Sequence, residues 1–358
     1  MKSRTAIISG IKETRIIERT LDPINENEVL VKVLACNLCT SEYGVWSGKR
    51  SNRDLPWGFG HEWSGKVIEA GDKVIGFKKD DFVAGSYEFN SGSRVSLLSF
   101  TQGDPDKQGA FKKQKDGLIG QAGCAEYIIL PQQSLHKLNK AITPSEGAFL
   151  EPVATVYAGI KRLKITPGCN VIVIGAGTMG ILNAEIAKFC GARVAITEVL
   201  EKKIKTATSM GYPVFNPQDS DFKQQISEFT DGEGADIVIV AVGVESANKQ
   251  AFEIVKHLGG QVAMFAAGYP DPELGIATNE IHYRRLDILG IFNADFIDFY
   301  TSAKILNTAR INLKPLIEEK FKFDDIQAAF EAANVPGAYR MSVIIDEEAD
   351  KHWSPTMD

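Results

Sequence analysis

The stretch Val171-Ile172-Val173-Ile174 followed by Gly175-Ala176-Gly177-Thr178-Met179-Gly180 constrains this chain more than any other segment. The apolar run reads as a buried strand, and residues 179–189 read as a helix that begins within the glycines. A G-x-G-x-x-G spacing alone is weak, but between a buried strand and a helix it is a dinucleotide-binding fingerprint. Gly175 allows a tight turn. Gly177 lets the backbone approach a pyrophosphate. Gly180 lets helix and strand pack closely. Thr178 and Met179 open the helix, whose N-terminus favours phosphate oxygens. The competing reading is a glycine-rich turn with no ligand. Glu198, after the next apolar run Val194-Ala195-Ile196, can accept hydrogen bonds from adenosine ribose hydroxyls. Its charge would repel a 2′-phosphate, so NAD is expected over NADP. Lys202 and Lys203 follow closely and keep NADP open; Lys203 is counted with the cofactor-binding residues. For Glu198 the alternative is a solvated acid.

The alternation continues through Asp236-Ile237-Val238-Ile239-Val240 and Gln261-Val262-Ala263-Met264-Phe265, with helical stretches such as 246–258 between strands. Apolar strands alternating with helices predict a parallel, doubly wound α/β sheet. Residues 1–150 read differently. Val29–Leu34, Gly65–Glu69, Lys73–Phe77, Asp81–Ala84 and Ala125–Pro131 are short β-prone segments separated by turn residues, which suggests a barrel or sandwich. Residues 86–120 read as a long irregular excursion. Beyond about 290 come helices near 296–308 and 324–334, a strand over Met341–Ile345, and a frayed tail from Lys351 to Asp358.

With 358 residues the chain is long enough for two domains. A formal net charge of −6 argues against a nucleic-acid partner. No apolar stretch reaches membrane-spanning length. The apolar start Ala6-Ile7-Ile8 is too short for a secretion signal, so a cytoplasmic protein is expected.

Five cysteines, an odd and sparse number, argue against a disulfide framework. Cys36 and Cys39 form a C-x-x-C pair with three readings: a redox dithiol, half of a structural zinc site, or one catalytic ligand beside a bystander. No second C-x-x-C exists to complete a four-thiolate site. Cys39-Thr40-Ser41-Glu42, Gly60-His61-Glu62 and Glu151-Pro152 supply one thiolate, one imidazole and carboxylates, a donor set suited to Zn²⁺. Taken singly, His61 could be an ordinary histidine and each glutamate a surface acid.

These motifs, with Glu126-Tyr127, Glu151-Pro152-Val153-Ala154, the glycine motif with Glu198, and Gly234-Ala235-Asp236-Ile237-Val238, occur in an order that resembles the medium-chain, zinc-dependent alcohol dehydrogenase superfamily. Within it the chain is most similar to the polyol (sorbitol-type) branch. The resemblance covers nearly the whole chain. It implies a β-rich, GroES-like catalytic domain of residues 1–147 and 291–358, and a Rossmann cofactor domain of residues 148–290. It implies Cys39, His61 and Glu62 as catalytic zinc ligands, with Glu151 on the metal or its water. It gives Ser41 the hydroxyl that passes the substrate proton on, Glu42 the support of a zinc-bound histidine, and Cys36 a bystander position. Two departures stand out. No cysteine lies between Cys39 and Cys124, so a four-cysteine structural zinc lobe is excluded and one zinc per chain is expected. A histidine that extends the proton relay in some members is Gly44 here.

The implied chemistry is Lewis-acid activation of a substrate hydroxyl by zinc, proton transfer through Ser41, and hydride transfer to a nicotinamide in a cleft between the domains. The implied substrate is a small polar hydroxylated molecule: a polyol, sugar, cyclitol, or sugar-derived acid or phosphate. Lys49-Arg50-Ser51-Asn52-Arg53 could bind an anionic substrate group, and Arg284 and Arg285 raise the same question; a solvated basic loop is the commoner role of such a run. Alternatives are amino-alcohol oxidation of the threonine-dehydrogenase type, a zinc-free quinone-reductase relative, and a non-catalytic NAD-binding protein. A homodimer or homotetramer is expected.

Overall fold

A computed structural model describes residues 1–51, 53–85 and 116–354. The chain divides into two compact units, one of Met1–Ala154 with Asp295–Asp358 and the other of Thr155–Ala294. The first division falls inside the helix Leu150–Ile160, a few residues after the expected 147/148 boundary.

The first unit is built on two sheets. One carries β1 (Lys2–Gly10), β2 (Glu13–Thr20), β4 (Trp57–Gly58) and β7 (Ile119–Gly120) in the order β2-β1-β4-β7. The other uses β3 (Glu28–Asn37), β5 (Glu62–Ala70), β6 (Phe82–Gly85), β8 (Tyr127–Pro131), β9 (Leu135–Lys137), β16 (Ile317–Lys322) and β17 (Arg340–Ile344). Its order is β16-β17-β3-β5-β6-β9, with β8 also paired to β3. β2 mostly alternates exposed and half-buried positions because it is an edge strand with one wet face. β3 is buried along most of its length because strands flank it on both sides. The core gathers Trp46, Trp57, Phe59, Trp63 and Phe330 with the valines of β3. Phe59 meets Phe330 edge-on, with centroids 5.0 Å apart, and so anchors the loop that leads into His61.

The second unit is one parallel sheet. Its strands are β10 (Asn170–Ile174), β11 (Arg193–Thr197), β12 (Val214–Phe215), β13 (Ile237–Val240), β14 (Gln261–Met264) and β15 (Asp287–Gly290). Their order, β12-β11-β10-β13-β14-β15, is the 3-2-1-4-5-6 arrangement of a Rossmann sheet. Val171–Ile174 of β10 and all of β13 are continuous runs of Val and Ile, buried as a sheet covered on both faces demands.

Three expectations need correction or placement. Lys73–Phe77 is not a strand: Gly76 takes φ +88°, Ile75 is 83% exposed, and the Ile75 N–H donates to the Gln132 side chain rather than to a ladder. The tail is not frayed from Lys351. Trp353 packs its ring 4.7 Å from Phe82 and donates its indole N–H to the Ile142 carbonyl. Residues 86–115 and 355–358, which hold most of the expected excursion and the chain end, lie outside the described residues.

Candidate active site

Register brings the donors together. β3 runs antiparallel to β5, with Asn37 opposite Glu62, and antiparallel to β17, with Ser342 opposite Asn37. The same ends of three adjacent strands therefore deliver Cys39, the pair His61–Glu62, and Arg340. One donor atom each from Cys39, His61 and Glu62 lies within 4.8 Å of the others. Among the described residues this is the one group of three such side chains that meets.

Glu42 holds the arrangement in place. It sits in the first turn of the helix Thr40–Trp46, wholly buried, and accepts from the Cys39 N–H (3.0 Å) and the Gly60 N–H (2.8 Å). Its Oε1 lies 2.8 Å from His61 Nδ1, which leaves Nε2 as the nitrogen a metal would use. The longer glutamate thus reaches the histidine with good geometry. Burial opposes the Glu42 charge, yet the imidazole and those two N–H donors hold its pKa below the usual carboxylate range. Gly60 is obligatory here: it takes φ +103°, and a Cβ would stand 2.2 Å from the Cys124 backbone nitrogen.

Arg340 escaped the sequence reading. It is 4% exposed and grips both oxygens of Glu62, Nε at 2.9 Å and Nη2 at 2.7 Å, with Nη2 also 3.6 Å from Cys39 Sγ. Burial pushes the Glu62 pKa up, and Arg340 and His61 work against that push. A lone arginine at the head of the apolar strand Met341–Ile344 was the available signal, but no spacing connects it to Glu62.

Glu151 lies outside the tight trio. It is 8% exposed in the first turn of Leu150–Ile160, and its charge contributes to raising Glu62. It is placed by the preceding helix, Pro144–Gly147, which three buried side chains pin to the sheet. Asn37 donates to the Ser145 carbonyl, Ser64 to the Pro144 carbonyl, and Ser342 bonds the Ser145 hydroxyl. Ser41 stands in the helix that begins at Thr40, partly exposed. Cys36 faces Cys124 instead of the trio; that thiol and burial push its own pKa well up, as suits a structural bystander.

A thiolate, an imidazole with its second nitrogen held, and a buried carboxylate fit a divalent zinc, whose ligands are S, N and O. Glu42, Glu62 and Glu151 against the single Arg340 leave an excess of negative charge to receive the cation.

The second unit's candidate site is backbone. Gly175 takes φ +99° at the end of β10, and a Cβ on Gly180 would stand 1.8 Å from the Gly175 carbonyl oxygen. Gly177 caps the helix Thr178–Phe189, and a Cβ there would meet nothing nearer than Lys203 Nζ at 3.5 Å. Glu198 braces this loop: Oε2 accepts from the Ala176 N–H, and Oε1 from the N–H groups of Val199 and Leu200. A carboxylate has about four acceptor positions, so capacity remains for a ribose hydroxyl. Arg284, raised as a substrate contact, is instead a structural plug. It is 8% exposed and donates to the carbonyls of His257, Phe252 and Val255 beyond and within the helix Glu245–Ile254.

Two family models match the chain: the alcohol dehydrogenase GroES-like domain over residues 25–140 and the zinc-binding dehydrogenase over residues 178–308. A sorbitol dehydrogenase of Halalkalibacterium halodurans is 28% identical over 340 residues, 93% of this chain and 96% of that protein. An L-threonine 3-dehydrogenase of Pseudoalteromonas translucida is 28% identical over 86% of this chain and 89% of that protein. The crystal structure of L-idonate 5-dehydrogenase from Escherichia coli superposes with a TM-score of 0.82 at 21% identity, covering 96% of this chain and 99% of that one. No helix among the described residues is long and apolar enough to cross a membrane.

Proposed function

Because the chain belongs to the medium-chain, zinc-dependent alcohol dehydrogenase superfamily, we propose that it interconverts a secondary alcohol and a ketone on a polyol, sugar, cyclitol or sugar-derived acid or phosphate, with NAD as hydride acceptor. The convergence of Cys39, His61 and Glu62 within 4.8 Å carries this reading. When bound, zinc would supply Lewis acidity toward the substrate hydroxyl and the nicotinamide a two-electron acceptor.

The chain's own residues do the rest. Cys39, His61 and Glu62 would hold the metal, one ion per chain. Glu42 fixes the His61 tautomer. Arg340 neutralises the Glu62 charge that burial would otherwise disfavour, and steadies the Cys39 thiolate. Ser41 takes the proton leaving the substrate hydroxyl and passes it outward. Glu198 accepts from the ribose of NAD and repels a 2′-phosphate, while Gly177 and Lys203 border the phosphate-binding turn. The substrate is small and polar, neither nucleic acid nor membrane lipid, and the enzyme works in the cytoplasm as a homodimer or homotetramer, which sedimentation tests directly.

Zinc content and NADH formation on a panel of polyols, sugar acids, sugar phosphates and L-threonine test the proposal together. Bound zinc and turnover of a sugar-type alcohol support it. The L-threonine relatives support a second reading, amino-alcohol oxidation, which turnover of L-threonine alone would select. Active enzyme without metal, indifferent to chelators, would overturn the zinc-dependent reading.

A further inference from the structure

Four polar side chains are buried where a sheet face usually packs apolar residues against a helix. Asn37, Ser64, Ser145 and Ser342 are each 0% exposed. Directly opposed residues of antiparallel strands, and residues two apart on one strand, point to the same face. Asn37 stands opposite Glu62 and Ser342 opposite Asn37, while Ser64 follows Glu62 by two positions and Ser342 follows Arg340 by two. One face of β17, β3 and β5 therefore carries Arg340, Ser342, Asn37, Glu62 and Ser64. The helix Pro144–Gly147 lies on it and is held from all three strands. Asn37 Nδ2 donates to the Ser145 carbonyl at 3.0 Å, Ser64 Oγ to the Pro144 carbonyl at 2.6 Å, and Ser342 Oγ to Ser145 Oγ at 2.8 Å. The Phe149 N–H bonds the Glu146 carbonyl, which leaves the Ser145 carbonyl to Asn37. The approach is close: a Cβ on Gly147 would stand 3.2 Å from Ser64 Cβ and 2.8 Å from Phe82 Cζ. Asn37 Oδ1 has no partner among the described residues, so the amide is turned to serve Ser145 and not its own oxygen.

Burying these groups costs more than burying Ala or Val in their place. What the hydrogen bonds add is direction. Three of them, from three strands, fix a helix in translation and rotation, where apolar packing alone would let it slide. Only Ala148, Phe149 and Leu150 separate this helix from Glu151, and each is 0% exposed. The Val153 N–H bonds the Phe149 carbonyl, so the link runs straight into the helix that carries Glu151. A shift of Pro144–Gly147 is thus passed on to Glu151. Metal–ligand distances tolerate only about 0.2 Å. We infer that Asn37, with Ser64 and Ser342, is a positioning residue for the metal site: it ties the sheet that carries Glu62 to the helix that carries Glu151, and so sets how closely Glu151 approaches the ion or its water. This inference rests on the zinc-dependent reading above and deepens it.

The test uses the full chain, stripped with a chelator and reloaded with Zn²⁺ or Co²⁺. Zn²⁺ affinity is read by competition with a chromophoric chelator. The visible bands of the Co²⁺-loaded chain report ligand number and geometry. Asn37→Ala, Ser342→Ala and Glu151→Ala are compared singly, each of the first two is also combined with Glu151→Ala, and thermal melts check folding. Ser342→Ala, which leaves both bonds to backbone carbonyls in place, serves if Asn37→Ala does not fold. Glu151→Ala and Asn37→Ala should each weaken Zn²⁺ binding about tenfold or more and alter the Co²⁺ bands, with a smaller loss in Ser342→Ala. In the Glu151→Ala background the Asn37 and Ser342 substitutions should change neither reading further, because their effect passes through that carboxylate. Native affinity and native bands in the folded variants, or losses that multiply in the double variants, overturn the positioning role and leave the zinc-dependent reading standing. A native chain that takes up neither metal overturns both.

Discussion

The two units build their candidate sites by opposite means. In Thr155–Ala294 one contiguous stretch, Gly175–Gly180, makes the site, and its working parts are backbone N–H groups, absent side chains and a helix end. In Met1–Ala154 with Asp295–Asp358 the site is side chains from four remote places: 39–42, 61–62, 151 and 340. A backbone site needs only a local turn. A site of buried charges needs the whole sheet register, and each member carries a desolvation cost that its neighbours offset. The first kind is robust and readable. The second is fragile.

That contrast can be broken or sharpened by substitution. His61→Ala should have the largest effect. Loss of the metal site removes several kcal/mol of catalysis, more than about a thousandfold in kcat, while NAD affinity measured by fluorescence titration stays near native. Loss of NAD binding as well would mean the two sites are not separable. Arg340→Met should come next. It strands Glu62, fully buried, without its partner, and is expected to cost about 3–5 kcal/mol in urea unfolding of the zinc-free chain. An unchanged midpoint would show that Glu62 is held by something else.

His136 offers a pH test of the same unit. It is 4% exposed, its ring stacks on Phe299 at 5.7 Å, and Nε2 has no partner. Burial pushes its pKa down to about 4. The unfolded chain, with a histidine pKa near 6.5, binds this proton first, so the stabilising contribution is complete above about pH 6.5 and is lost as pH falls toward 4. The expected loss is up to about 3 kcal/mol, and His136→Phe should flatten the stability profile over that window.

Glu42→Gln keeps the size of the side chain but removes the charge facing His61. Metal affinity should fall about 10- to 100-fold, read by competition with a chelator. The smallest effect belongs to Glu198→Gln. Its backbone contacts can largely survive, so NAD should weaken by no more than about tenfold, with NADP gaining relative to it. A collapse of the second unit instead would make Glu198 chiefly a brace for the glycine turn.

The same contrast explains what could be read in advance. The glycine motif, β10, β13, and the helices over 178–189 and 296–307 follow from local pattern, because a strand or helix announces its period over a few residues. Cys39, His61 and Glu62 were legible only as a set, because their motifs occur together in an order that resembles the superfamily, while none is specific alone. Arg340 was not, since its partnership with Glu62 exists only through the β17–β3–β5 register, 278 residues apart in the chain. Lys73–Phe77 has the composition of a strand but joins no ladder among the described residues, since Gly76 bends it away and the Gln132 side chain takes the Ile75 N–H. Trp353 looked like tail because its binding place, between Phe82 and Ile142, is assembled by distant chain.

One carboxylate has a consequence for anyone who would redesign this enzyme. Glu42 starts the helix that holds Ser41, ties down the turn at Gly60 and aims His61. Under the roles proposed above, proton exit, loop shape and metal preference would therefore share a single knob. Directed evolution at position 42 should return few winners, and useful diversity will come from positions that touch only one of the three.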